Sequence, residues 1–528
     1  MRRSSIAVVL AVAACLALPA AAPAAGFSLG VAAGEVTSSS ALLWAHATAS
    51  GPTTLEVARS RTFRNPVAAK RVSAARSHDN TVQARVKGLA ANTAYYFRWV
   101  QGTRRSSTGK FRTAPSPASN ASVRFAWSGD ADAQPQRGQR RPFWNSFEAY
   151  RSMQRENNAF NVNLGDTIYS DTEVGAQQAG GVFRPVVPTA KTTAAKWAKY
   201  RMNLAQANLS NLRGAAAMYN HWDDHEFIND FTRSENGAAI YQAGVRAFRD
   251  YMPVSYGANG IYRSARWGRN LEVFFLDERS FRSAKASRNG QCDDSRGNPD
   301  LGPTAPQSTR STFATIYPPL SQPVKPGCVQ AINDPGRTML GSRQYATFTA
   351  ALKRSTATFK VVMNEVPIQQ FYALPYDRWE GYASERRRLM DYIASNQVKN
   401  VVFLTTDVHA TFVNTIKFST LGEEGPPVDT NIFDITTGPV ATKNFHLELS
   451  DALGSEGSAN IFRALVEKGG PPYGVAMKCA VDNQFSYGQV SVTGSALTVN
   501  LKDSAGRPLR EPADIGGGPC GPFTIPKQ

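Results

Sequence analysis

Histidine and cysteine are scarce in this chain, six and five among 528 residues. No C-x-x-C spacing occurs, which argues against a thiolate zinc site. The sequence also lacks a basic block, a base-stacking motif and, beyond its first residues, any apolar run long enough to span a membrane. Lys and Arg outnumber Asp and Glu by 59 to 41, giving a formal charge of +18, yet the cations are spread along the whole chain. Nucleic-acid binding is therefore disfavoured. The surplus would attract anionic substrates or surfaces, or simply keep the surface soluble. With 42% hydrophobic residues and a mean hydropathy of −0.34, the chain can bury at least one large core, and its length points to more than one domain.

The opening "MRRSSIAVVLAVAACLALPAAAPAAG" has a basic start, an apolar middle and a small-residue end at Ala22-Pro23-Ala24, the plan of an export signal over residues 1–25. Arg2-Arg3 admits a twin-arginine route, but the residues that usually surround such a pair are missing, so general secretion stands beside it. Val12-Ala13-Ala14-Cys15 resembles a lipoprotein cleavage box. Apolar residues continue past Cys15, which makes lipid anchoring the lesser alternative to a secreted or periplasmic protein. Cys292, Cys328, Cys479 and Cys520 then remain, an even number that fits two disulfides. Four cysteines allow three pairings; proximity in sequence favours Cys292 with Cys328 and Cys479 with Cys520.

From residue 26 to 115 short runs such as "SSSALLWAHA" and "TTLEVARS" alternate apolar and polar residues, which predicts an antiparallel β-sandwich. "LAANTAYYFRWV" followed by "STGKFRTAP" resembles the end of a fibronectin type III module. After a linker, "PSPASNAS", apolar runs alternate with helical spacing, which predicts an α/β layered domain over about 120–510. A Pro-, Gly- and Ser-rich insertion is expected at about 283–341, and a tail at 511–528. Strands beyond Asp429 are expected to complete a second sheet.

Four of the apolar runs stop at acids: Gly129-Asp130, Gly165-Asp166, Asp223-Asp224-His225 and Thr406-Asp407-Val408-His409. In open α/β folds ligands gather outside the carboxyl ends of strands, so these ends would converge. The stretch "NHWDDHEFIND" sharpens the point, because neighbouring carboxylates repel one another and resist losing water. Either the segment is a solvated loop or something positive sits among them. Hard oxygen donors with two histidines suit a pair of di- or trivalent cations. Two such cations about 3.5–4 Å apart lower the pKa of bound water towards ~7 and clamp an in-line phosphoryl displacement. Each element alone is weak: a "GD" after a strand is usually a turn, His409 could be a core histidine, and Asp277 an ion-pair partner of Arg279. The ordered set carries the reading.

Asp130, then "GDTIY", then "WDDHEF", then "TDVH" resembles the order found in calcineurin-like metallophosphoesterases of the PhoD alkaline phosphatase type. "LDERSFR", "LGSRQYATFTAALKRSTATFKVVMNEVPI", "DRWEGYASERRRL" and the N-terminal "GVAAGEVTSSSALLWAHA" extend the likeness over nearly the whole mature chain. The resemblance implies a two-sheet αββα metallophosphoesterase core, preceded by a small all-β sandwich, with metals at one edge. By position it makes Asp166 the acid between two metals, Tyr169 a ligand of ferric iron, Asp224 a metal ligand at the catalytic centre, and Asp407 and His409 the terminal metal-binding pair. His225 would stabilise the transferring phosphoryl group and the leaving oxygen, and Arg279 would clamp phosphate oxygens with its planar fork. Asp132, Asp223 and Asn364 are candidate ligands or supports behind them.

One departure stands out. Where that family reads "SCQ" this chain reads "SGDADA", so Asp130 replaces the cysteine. Fe³⁺ with Ca²⁺ is the implied cofactor set, while a carboxylate there makes Mn²⁺ or Mg²⁺ easier to imagine. The implied activity is that of a secreted, metal-dependent alkaline phosphatase attacking phosphate monoesters with a metal-bound hydroxide, for phosphate scavenging. The alternatives are a phosphodiesterase or phospholipase D type hydrolase, taking lipid or cell-wall phosphodiesters through pocket walls such as Gln177 to Thr193, and a non-catalytic anion-binding relative.

Overall fold

The computed structural model describes residues 26–175, 177–179, 182–184, 186–418, 428–470 and 474–528. The expected export signal, with Arg2-Arg3 and Cys15, lies outside the described residues, as do parts of the 177–193 loop. Strands Val123–Ser128, Phe160–Leu164 and Ala217–His221 run parallel at the centre of a nine-stranded sheet. Leu271–Phe275, Phe359–Met363, Val401–Thr405 and Asp429–Thr436 run parallel in a seven-stranded sheet. Phe160–Leu164, Ala217–His221, Phe359–Met363 and Val401–Thr405 are buried along their whole length, as strands covered on both faces must be. Phe125, Val162 and Tyr219 of one sheet share a core with Val273, Val361 and Leu404 of the other.

Helices close both outer faces. Tyr200, Leu212 and Phe248, from helices Thr193–Leu204, Ala207–Ala215 and Ala238–Tyr251, pack on Ala126 and Met218 of the nine-stranded sheet. Phe348 and Leu389, from helices Ser342–Arg354 and Ala383–Ser395, pack on Phe274 and Phe403 of the seven-stranded one. The layering is αββα. Each such apolar side chain contributes about 1.5–3 kcal/mol when fully buried.

The N-terminal residues form two β layers. Gly51–Ala58, Pro66–Ala74, Ala94–Gln101, Arg104–Arg105 and Gly109–Arg112 make a five-stranded sheet. The other layer, Phe27–Gly34, Ser40–Ala47 and Thr81–Lys87, is continuous with the nine-stranded sheet through the parallel pairing of Ala33 with Ala217. Apolar and polar alternation is visible in a sequence; the partner at the sheet's far edge is not.

At the other end, Ser486–Val492 and Ala496–Asp503 return to the nine-stranded sheet, and Phe523–Pro526 adds its edge strand. The expected tail at 511–528 thus includes a paired strand, Phe523–Pro526. Cys292–Cys328 and Cys479–Cys520 are the disulfides. Among the described residues no helix is long and apolar enough to cross a membrane.

Candidate active site

The loops that follow the parallel strands meet at one edge of the two sheets. Gly165 has φ 85°, and a Cβ there would lie 2.5 Å from Cβ of Asp223, so the "GD" turn brings two acidic loops closer than any side chain would allow. Asp130, Asp166, Asp407 and His409 all adopt left-handed backbone conformations, with φ of 61°, 48°, 71° and 52°. Such conformations are unfavourable for residues with a Cβ and gather where a ligand site dictates side-chain direction.

Asp130, Asp166 and His409 form one group of side chains whose ligand-capable atoms all lie within 4.8 Å of one another; Asp166, Asp224 and His225 form a second, and Asp223, Asp224 and Asp407 a third. Asp224 also belongs to a group with Asp230 and Asp377. Burial pushes the Asp130 carboxyl up to about 7, and Asp223 adds to the shift. Burial likewise lifts Asp223 to about 6 against the pull of Arg279, and raises Asp166 and Asp407. Asp130 Oδ2 and Asp223 Oδ2 are buried without a hydrogen-bond partner. Unpartnered hard oxygens whose charge is disfavoured first by burial and then by neighbouring carboxylates are the donor set that di- or trivalent cations fit.

His225 Nδ1 lies 2.7 Å from Asp171 Oδ1, while the backbone N–H of Asn229 donates to Asp171 Oδ2 at 2.8 Å. Burial alone would lower the pKa of His225, but Asp224, Asp166 and Asp171 outweigh it and raise it well above the usual value. The Tyr169 ring packs 4.2 Å from the imidazole centroid. The Tyr169 hydroxyl is 2.9 Å from His409 Nε2, and His409 Nδ1 is 2.6 Å from Glu448 Oε1. Glu226 lies below this layer. Its carboxylate accepts backbone N–H groups of Asp166, Thr167 and Asp223 at 3.1, 2.7 and 2.8 Å.

Arg279 is placed differently from the expected phosphate clamp. It is fully buried, and its guanidinium pairs with Asp223 through Nε, with Asp377 at 2.9 and 2.8 Å, and with Asp407 at 3.1 Å. Asp277 is bound not to Arg279 but to the indole of Trp222 and to the backbone N–H groups of Ile261 and Ser280. Asn364 donates to the Val366 carbonyl and accepts from the Trp379 indole at 3.1 Å, so both ends of its amide are engaged within the protein. Asp132 accepts from Thr172 and from the N–H of Gln134 and supports the loop behind Asp130.

The groups missing from the sequence reading are Asp171, Asp377 and Glu448. Glu226 belongs to the crowded acids of "NHWDDHEFIND", but its role as acceptor of three backbone N–H groups has no local signal. Asp377 and Glu448 arrive from distant segments with no local pattern.

The family model described as PhoD-like phosphatase matches residues 136–501, and the model for the N-terminal domain of PhoD-like phosphatases matches residues 12–115. This chain belongs to the PhoD-like phosphatase family. Asp130 and Asp132 precede the larger matched span. Alkaline phosphatase D of Bacillus subtilis (strain 168) is 26% identical over 429 residues, covering 74% of this chain and 65% of that protein's own length. A solved structure of PhoD superposes with a TM-score of 0.70 at 20% identity, covering 94% of each chain. The purple acid phosphatase PPD1 from yellow lupin (Lupinus luteus) seeds superposes with a TM-score of 0.55 at 11% identity, over 93% of this chain and 75% of that one. Both likenesses bear out the expected α/β metallophosphoesterase core with an N-terminal β domain.

Proposed function

We propose that the chain is an exported alkaline phosphatase that hydrolyses phosphate monoesters with the help of two or more bound cations. The observation that carries the reading is the convergence of Asp130, Asp166, Asp223, Asp224, Asp407 and His409 in linked groups beside His225, with one unpartnered carboxylate oxygen each on Asp130 and Asp223. Asp166 is common to two groups and suits the place between two cations; Asp130 and His409 would complete one side, and Asp224, Asp223 and Asp407 the other. When bound, such cations supply Lewis acidity and lower the pKa of water.

The chain's own residues would do the rest. Asp171 holds Nδ1 of His225, which leaves Nε2 to donate a proton to the leaving oxygen, and Tyr169 packs against the ring to fix its plane. Glu226 ties together the two loops that present Asp166 and Asp223. The Tyr169 hydroxyl, beside His409, suits a phenolate ligand for Fe³⁺, with Ca²⁺ at the all-carboxylate side. Iron at that phenolate would give a visible absorption band that Tyr169→Phe abolishes. Mn²⁺ or Mg²⁺ would give none. The two disulfides and the signal-like opening support an extracytoplasmic setting, where released phosphate would be available for uptake.

The test is hydrolysis of p-nitrophenyl phosphate against bis-p-nitrophenyl phosphate at alkaline pH, before and after chelation and metal return. Metal-dependent preference for the monoester is expected. Preference for the diester would replace this reading with a phosphodiesterase, and no turnover of either after metal return would leave a binding role.

A further inference from the structure

Helix Thr193–Leu204 carries Lys196, Lys199 and Asn203, three polar side chains that are all buried. Their spacing of three and four puts them on one helix face, and buried lysines persist only where they are hydrogen-bonded or paired. Between them they reach the three loops that follow Val123–Ser128, Phe160–Leu164 and Ala217–His221. Asn203 donates to the carbonyls of Ala131 and Thr167 at 2.5 and 2.6 Å, and Lys199 Nζ donates to Gln134 Oε1 at 2.9 Å. Lys196 Nζ donates to Ser170 Oγ and to the Phe227 carbonyl, both at 2.6 Å.

Those two acceptors flank the Asp171–His225 pair. Ser170 precedes Asp171, Phe227 follows His225 by two residues, and the Ser170 N–H also donates to the His225 carbonyl at 3.1 Å. Lys196 is thus fully buried where it holds both loops from below, with Asp171 and Glu226 as carboxylates near its charge. An apolar residue in its place would leave the Phe227 carbonyl and the Ser170 hydroxyl without that donor. A shift of an ångström in either loop would turn Asp171 away from the imidazole.

We propose that Lys196 is a positioning residue for catalysis: by bridging Ser170 and Phe227 it keeps Asp171 and His225 aligned for proton donation. The proposal rests on the reading of His225 as proton donor. Its test compares Lys196→Met, Lys196→Arg, Asp171→Asn and the Lys196→Met/Asp171→Asn double variant in the metal-loaded full chain. The readouts are kcat and KM for p-nitrophenyl phosphate, metal content and melting temperature. Lys196→Met is expected to lower kcat about 10–100-fold, with KM within about 2-fold and metal content unchanged. Lys196→Arg should recover most of that loss. The double variant should be no slower than Asp171→Asn, because both changes remove the same alignment.

Losses that multiply in the double variant, or a lower melting temperature with kcat per folded, metal-loaded site unchanged, would overturn the proposal. Should Lys196→Met fail to fold, Ser170→Ala removes one acceptor alone and should lower kcat about 3–10-fold, again without multiplying the Asp171→Asn loss. Parent-like activity of His225→Ala and Asp171→Asn would instead sink the proton-donor reading. An impaired Asp171→Asn beside unimpaired Lys196→Met and Ser170→Ala sinks the positioning role only.

Discussion

The Glu226 carboxylate reaches back 60 residues to accept the backbone N–H of Asp166 at 3.1 Å. With Thr167 and Asp223 it holds three backbone donors of two loops, and it is wholly buried. Glutamine there would present an amide N–H to at least one of those donors and leave it unsatisfied. Glu226→Gln is expected to lower unfolding free energy by about 1–3 kcal/mol and to weaken cation binding. Urea denaturation with a cation titration checks it; parent-like stability and affinity together would show that Glu226 does not organise these loops.

The Asp171–His225 pair separates proton donation from cation binding. His225→Ala is expected to keep the cations and lower kcat about 10²–10⁴-fold, the range for a positioned proton donor. Asp166→Ala, which opens two groups at once, should lose both cations and activity. Metal analysis beside steady-state kinetics distinguishes them, and a fully active His225→Ala protein would remove that residue from the chemistry.

Six of the seven parallel core strands, all but Asp429–Thr436, were legible because each is a short apolar run ending at a polar residue, and Asp130, Asp166, Asp224, Asp407 and His409 were legible because they sit at those ends. Arg279 was legible as a charged residue near the site but not in its partners, since Asp377 comes from a segment 98 residues later. The stretch "AAKWAKYRMNLAQANLSNLRG" has helical spacing, and it forms two helices, Thr193–Leu204 and Ala207–Ala215. Lys196 and Asn203 of the first helix are buried, because the strand-end loops supply acceptors that no local pattern displays.

Arg279 pairs with Asp223, Asp377 and Asp407 from within the protein, offsetting part of their charge, and shares Asp377 with Arg282. Removing a buried partner of this kind costs about 3–5 kcal/mol, because the opposite charges are left uncompensated. Arg279→Met should therefore destabilise the metal-free protein strongly and the metal-loaded protein less, since bound cations offset the same carboxylates. Melting curves with and without cations measure this. A raised KM with unchanged melting in both forms would restore the phosphate-clamp role.

Asp434 titrates away from the candidate site. Burial pushes its carboxyl up to about 7, while the N–H groups of Gln369 and Ile368 oppose the shift. An acid with a raised folded pKa binds its proton more tightly when folded, so stability falls as pH rises from the unfolded value, 3.8, to about 7. The full shift corresponds to roughly 4 kcal/mol. Asp434→Asn should gain stability relative to the parent over that pH window by an amount of this order. A stability difference between the two proteins that stays constant from pH 4 to 8 would refute the assignment.

The two disulfides should fail differently. Cys479 lies on the edge strand of the seven-stranded sheet and Cys520 just before the edge strand of the nine-stranded one, so the bond ties the two sheets together across 41 residues. A closed loop of that size contributes about 4 kcal/mol in the chain-entropy account. Cys292–Cys328 spans 36 residues but packs against Tyr376, the neighbour of Asp377, which in turn holds Arg279. Cys479→Ala/Cys520→Ala should therefore lower the melting temperature with kcat retained in the folded fraction. Cys292→Ala/Cys328→Ala should also lower kcat, by loosening the segment that carries Asp377. Equal effects of the two double variants on kcat would show that the insertion does not support the site.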